Sequence, residues 1–96
     1  MNRVRGEVSL IINGRAHQLC LTLGALAELE TAFGCQSLAE LQVRLRSLSA
    51  AELVCVLAIL LKAGGETAVA ARLSDLPVSP AEAARAVAEA FRAALA

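Results

Sequence analysis

The sequence predicts an α+β domain in which an N-terminal β-hairpin packs on a bundle of four or five helices. Two alternating apolar stretches flank Asn13-Gly14, the dipeptide favoured by a type I′ turn, which needs positive φ at both central positions. Helical apolar periodicity begins after Thr22 and recurs to the C-terminus. The 96 residues suit a single domain, residues 1–96, with the hairpin at about 6–22 and the helices at about 23–95.

The register of the hairpin follows from the turn. A two-residue loop at Asn13-Gly14 places most apolar side chains of both strands on one face, as a half-buried sheet requires. An isolated hairpin is marginal in water, so this face is expected to pack on helices. The predicted pairs are Val8 with Leu19, Ser9 with Gln18, Leu10 with His17 and Ile12 with Arg15, with Glu7 and Cys20 paired beyond them.

Capping signals define the first two helices. Thr22 is the expected N-cap of a helix over 23–33, and Gly34 stands where a left-handed residue commonly ends a helix. Ser37-Leu38-Ala39-Glu40 has the spacing of a capping box and opens the second helix. The apolar stripe of the second helix is predicted to be Leu38, Leu41, Leu45 and Leu48.

The third helix is apolar all round. A capping box at Ser49-Ala50-Ala51-Glu52 opens it, and Gly64-Gly65 ends it after about Ala63. A helix without a polar face is either central in a bundle or covered by a partner. Both alternatives stay open from the sequence. On the second alternative, the partner-binding residues are Leu53, Val54, Val56, Leu57, Leu60 and Leu61.

The C-terminal third predicts a short helix, a loop and a long helix. The short helix is expected at Glu66 to Leu73 and the loop at Ser74 to Val78. Ser79-Pro80-Ala81-Glu82 combines an N-cap, a proline at the first helical position and a capping glutamate. The predicted buried stripe of the last helix is Ala84, Val87, Phe91 and Leu95.

Composition narrows the function. Nine basic and nine acidic residues balance, whereas nucleic-acid binders usually carry a basic surplus. The longest apolar run, Leu53 to Leu61, has nine residues, and a membrane span needs about 20. Three cysteines without a CxxC pair, and no signal peptide, indicate a reduced cytoplasmic location. The 57% hydrophobic content predicts apolar surface covered by a partner or by self-association.

No catalytic, metal or cofactor motif is found. His17 is the only histidine, and it is expected to pack on Leu10, its cross-strand neighbour. The cysteines are 15 and 20 residues apart, whereas zinc sites use closely spaced ligand pairs. No glycine-rich phosphate-binding loop is present. We therefore expect no enzymatic activity, no cofactor and no metal.

Residues 5–41 carry a family resemblance. Its marks are Arg5-Gly6-Glu7, Leu21-Thr22-Leu23-Gly24, Ala27-Glu28-Leu29-Glu30 running to Phe33-Gly34, and the segment Ser37 to Leu41. This block resembles the small tail-assembly family encoded beside the tail tube and tape-measure proteins of gene transfer agents and related long-tailed phages. The resemblance implies a non-enzymatic role in building a phage-like tail.

The resemblance and the apolar excess together favour a tail-assembly chaperone that binds apolar segments of the tape-measure protein, or of another tail protein. A structural tail tube subunit retained in the particle is the alternative. A small nucleic-acid-binding regulator is a weaker one. A single short hairpin supplies little sheet for the rings of a tube, which favours the chaperone.

Overall fold

The N-terminal hairpin has the predicted register. In this computed structural model, which describes residues 7–95 and the side chains of 7–94, β1 (Val8–Ile12) pairs antiparallel with β2 (Arg15–Leu19). Asn13 and Gly14 have φ of 53° and 81°, as a type I′ turn requires. The ladder stops at Val8–Leu19, so the predicted Glu7–Cys20 pair is not part of it. The Arg5-Gly6 start of the resemblance and the Leu95 side chain lie outside the described parts.

Five α-helices follow the hairpin, so the predicted α+β fold is confirmed. A short 3-10 turn separates the last two of them. The elements are α1 (Leu23–Phe33), α2 (Leu38–Arg44), α3 (Ala50–Ala63), α4 (Thr67–Ala71), the 3-10 turn (Leu73–Asp75) and α5 (Pro80–Leu95).

The predicted helix caps form. The Thr22 hydroxyl accepts a hydrogen bond from the Ala25 amide at 3.0 Å, and Gly34 ends α1 with φ of 65°. At the start of α3, the Ser49 hydroxyl accepts from the Glu52 amide while the Glu52 carboxylate accepts from the Ser49 amide. These reciprocal bonds close the predicted capping box.

Helix α2 is shorter than its leucine stripe predicted. It ends at Arg44, so Leu45 and Leu48 lie beyond the helix, and Leu38 is 40% exposed. Only Leu41 of the predicted stripe is buried. The physical reason is that Ser49 must be extended (φ −73°, ψ 167°) to cap α3, so the chain leaves the helical conformation before it.

Helix α5 buries only Val87 of the predicted stripe among the described side chains. It packs on β1 and α3, and Ala84 is exposed while Phe91 is only half-buried. The reason is that alanine lets the helix approach the sheet and α3 closely, so the small side chains rather than the large ones face the core. The buried residues of α5 are Ala83, Ala86, Val87 and Ala90.

The segment between α3 and α5 also differs from its prediction. The helix expected at Glu66 to Leu73 is reduced to α4, and Ser74 and Asp75 belong to the 3-10 turn rather than to a loop. Leu73 is buried in the main core at this turn. Burial of Leu73 is therefore accompanied by a bend at the 3-10 turn, where a continuous helix would direct the chain away from the core.

Helix α3 lies at the centre of the fold. It contacts β2, α1, α4 and α5, and its buried residues join the hairpin to the helices in one core. This position supports the first of the two alternatives for an all-apolar helix, namely that it lies at the centre of the bundle. None of the helices formed by the described residues is long and apolar enough to cross a membrane.

Candidate partner-binding groove

The six α3 residues predicted to bind a partner divide into two sets. Four of them, Val56, Leu57, Leu60 and Leu61, are at most 3% exposed and belong to the core. Leu53 and Val54, in the first turns of the helix, are half-buried. In this fold only these two have side-chain surface within reach of another protein, and the binding role of the set remains a prediction.

Leu53 lies in an open groove between α2 and α5. The groove has a volume of about 680 Å³, which is within the range of natural ligand sites. We call it the α2–α5 groove. Its lining residues are Gln42, Leu45, Arg46, Leu48, Leu53, Ala84, Val87, Ala88, Phe91 and Arg92.

The groove is apolar because core residues extend into it. Leu45, Leu48, Leu53 and Phe91 pack against the core while remaining half-buried. On α5, Ala84 and Ala88 line the same space, and their methyl groups are too short to fill it. Residues from three separate segments therefore leave apolar surface in contact with solvent.

The corner between α2 and α3 is held by an ion pair. The Arg44 guanidinium donates to the Glu52 carboxylate and lies 5.1 Å from the centroid of the Phe33 ring, within cation–π range. Two hydrogen bonds lower the pKa of Glu52. The larger contribution comes from the backbone amide of Ser49 and the next from the Arg44 guanidinium. One carboxylate thus caps α3 and ties the end of α2 to it, which positions Leu45 and Leu48 in the groove.

The charge along the groove is positive. Arg46 and Arg92 line it, and among the described residues neither has a carboxylate partner. The neighbouring glutamates of α5 are occupied, because Arg85 pairs with Glu82 at 2.9 Å and with Glu89 at 2.8 Å. The groove therefore combines apolar surface with two guanidinium groups that are available to a ligand.

The C-terminal end of α3 is closed by a polar clamp. The Glu66 carboxylate accepts from the Gln18 amide at 3.0 Å and lies 3.1 Å from Nδ1 of His17. The Gln18 amide, and then His17, lower the pKa of Glu66. Within the described residues no hydroxyl bonds to the His17 ring, and no group of three metal-ligating side chains occurs among them. The pair therefore fixes the hairpin to the α3–α4 corner.

Gly64 allows the backbone at the end of α3 to meet the backbone of β2. A Cβ at position 64 would lie 2.3 Å from the carbonyl oxygen of Gln18, well inside van der Waals contact. The sequence predicts Gly64 only as a helix end. The contact joins residues far apart in the chain, and no local pattern could indicate it.

The groove was not predicted from the sequence, although the apolar stripe of α5 includes residues that line it. Ala84, Val87 and Phe91 belong to the apolar stripe predicted for α5. All three line the groove. Val87 is buried as predicted, whereas Ala84 is exposed and Phe91 is half-buried.

A protein family model described as "Phage tail tube protein, GTA-gp10" matches residues 5–96. The match covers the hairpin, the α2–α5 groove and α5, and thus extends well beyond the block that carried the resemblance. No curated protein and no solved structure matches the chain.

Proposed function

The chain belongs to the phage tail tube protein, GTA-gp10 family, and from this premise we propose that it is a tail-assembly chaperone. In this proposal it is not an enzyme. It acts in the cytoplasm, where the α2–α5 groove holds an apolar helical segment of the tape-measure protein until the tail assembles. The observation that carries the proposal is the open apolar groove itself.

The dimensions of the groove suit a helix. Ala84 and Arg92 mark its extent along α5, a distance of about 12 Å at the helical rise of roughly 1.5 Å per residue. An occupant in contact over this length would present about two helical turns. Amphipathic helices commonly bind by laying their apolar face into such grooves.

A second candidate function is a tail subunit retained in the particle, which the family description favours. Among the described residues no strand pairs with the outer edge of β1, and this edge could extend a sheet between copies. We prefer the chaperone because the sheet of the described residues has two strands only. The Gln18 amide on the outer edge of β2 is moreover already bound to Glu66.

Co-expression with the tape-measure protein of the same tail tests the chaperone proposal. We expect the tape-measure protein to be soluble with the wild-type chain and insoluble without it. Ala84→Trp should abolish this effect, because the indole would fill the groove from an exposed helical position. Ala81→Trp is the matched control, since Ala81 is exposed on α5 and does not line the groove.

Two further results would decide against the chaperone. One is a tape-measure protein that is equally soluble without this chain. The other is mass spectrometry of purified particles that finds the chain in many copies, which is the outcome expected of a retained subunit. For the nucleic-acid-binding regulator, the weakest candidate, affinity for DNA at low salt is the corresponding test.

A further inference from the structure

The α2–α5 groove also indicates the chemistry of its ligand. We infer that it selects a helix whose apolar stripe is flanked by carboxylates, and that it discriminates against a helix of equal apolarity with basic flanks. This inference rests on the proposed function, because it specifies the partner of the same groove.

The charges around the groove are unevenly paired. Arg44 and Arg85 are both engaged by glutamates of this chain. Arg46 and Arg92 face the groove without such partners among the described residues. Within the described part of the chain, the carboxylates beside the groove are therefore engaged by two arginines, and the other two arginines can bind carboxylates from outside.

The two available guanidinium groups come from different elements. Arg46 follows α2, and Arg92 lies in the last turns of α5. A helix inserted between these elements would meet a guanidinium on each side. Guanidinium binds carboxylate through paired hydrogen bonds, so carboxylates on both flanks of the apolar stripe are favoured. The amide of Gln42, which also lines the groove, adds one polar contact without charge.

The same charges disfavour a second copy of this chain as the occupant. A two-fold contact places identical surfaces against each other. Groove against groove would bring Arg46 and Arg92 close to the same residues of the other copy, and juxtaposed like charges oppose association. The groove is therefore better suited to a different protein than to self-association through this face.

Two synthetic peptides of about 18 residues, long enough to cover the groove with helix on either side, test the inference. Both carry leucine at i, i+3, i+4 and i+7 in repeated turns, and their flanking positions are glutamate in one and lysine in the other. Fluorescence anisotropy measures their binding to the full chain. With two surface ion pairs at stake, we expect the glutamate peptide to bind about threefold to thirtyfold more tightly at low salt. The preference should shrink at about 1 M NaCl, because the Debye screening length is then only roughly 3 Å.

Variants assign the preference to the two arginines. The double variant Arg46→Glu, Arg92→Glu should lose or reverse the preference for the glutamate peptide. The control double variant Arg15→Glu, Arg72→Glu changes the net charge by the same amount and should keep the preference. All four arginines are exposed, so the fold is expected to tolerate these changes. Circular dichroism spectra of both double variants check that they remain folded.

Each contrary outcome has a distinct meaning. If both peptides bind equally and Ala84→Trp abolishes both, the groove holds helices without regard to charge, and the inference fails while the chaperone proposal stands. If neither peptide binds, the inference is overturned, and solubility of the tape-measure protein in co-expression decides separately on the chaperone. Tighter binding of the lysine peptide would also overturn the inference.

Discussion

The two ends of α3 use the same residue types in opposite ways. Towards its C-terminal end, Leu60 and Leu61 are fully buried, and Gly64 lets the helix end meet the backbone of β2. Towards its N-terminal end, Leu53 and the neighbouring Phe91 of α5 remain half-buried along an open groove. We call the region around the C-terminal end of α3 the closed side of the molecule and the region around its N-terminal end the open side. Their difference shows that the apolar excess of the composition is not spread evenly over the molecule.

The polar contacts differ in the same way. On the closed side, Glu66 binds the Gln18 amide and His17, so its carboxylate is satisfied within the chain. On the open side, Arg46 and Arg92 remain without carboxylate partners among the described residues. The closed side is therefore expected to govern stability and the open side to govern binding.

The largest expected effect comes from truncating one leucine on each side. Leu60→Ala should lower the free energy of unfolding by about 2–5 kcal/mol, because it leaves a cavity in a fully packed core. Leu53→Ala should cost about 1–2 kcal/mol, since part of that side chain already contacts water. Urea unfolding measures both, and equal losses would remove the distinction between the two sides.

The close backbone contact predicts a smaller loss. Gly64→Ala should lower the free energy of unfolding by about 1–3 kcal/mol, because the new methyl group forces α3 and β2 apart. Gly24→Ala is the control. Its Cβ would meet only an ordinary contact at 3.8 Å, so the change should be neutral or stabilising by less than about 1 kcal/mol. A Gly64→Ala protein as stable as wild type would show that the contact is not tight.

The clamp on the closed side predicts a dependence on pH. The Gln18 amide and His17 lower the pKa of Glu66, so the folded chain holds this carboxylate ionised more strongly than the unfolded chain does. The resulting stability is present above the ordinary glutamate pKa of about 4.3 and is lost as the pH falls through the lowered value.

Glu66→Gln is the variant that isolates this contribution. Urea unfolding across the acid range should show a shallower loss of stability in the variant than in wild type. Some loss should persist, because the pKa of Glu52 is also lowered. Identical acid dependence in both proteins would contradict the clamp.

The smallest effect on stability is expected on the open side. The double variant Arg46→Glu, Arg92→Glu should change the free energy of unfolding by less than about 0.5 kcal/mol, because both side chains are exposed and neither pairs with a carboxylate of the described residues. Thermal unfolding followed by circular dichroism measures this. A large loss would mean that the two arginines stabilise the fold, and that they are not held available for a ligand.

The hairpin and the helix caps could be predicted because each follows from a local rule. Asn13-Gly14 sets the register through its turn, and Thr22 and Ser49 mark helix starts through their hydroxyl groups. These interactions join residues a few positions apart, so the sequence contains all that is needed to recognise them.

The groove depends on features that local patterns do not determine. Alanine occupies both faces of α5, so periodicity could not tell that Ala83 and Ala86 face the core while Ala84 faces the groove. The end of α2 is likewise decided by the cap of the next helix, not by its own leucines. The contact of Gly64 with Gln18 is long-range, and it depends on the packed fold alone.

Hydrogen exchange of the full chain, alone and bound to the tape-measure protein, tests the central claim most directly. The account predicts that binding adds protection in residues 42–53 and 84–92, which line the open side, and leaves the hairpin at 8–19 unchanged. Added protection along β1 with none in the groove segments would contradict the account, and would identify the sheet edge as the surface that meets the tail.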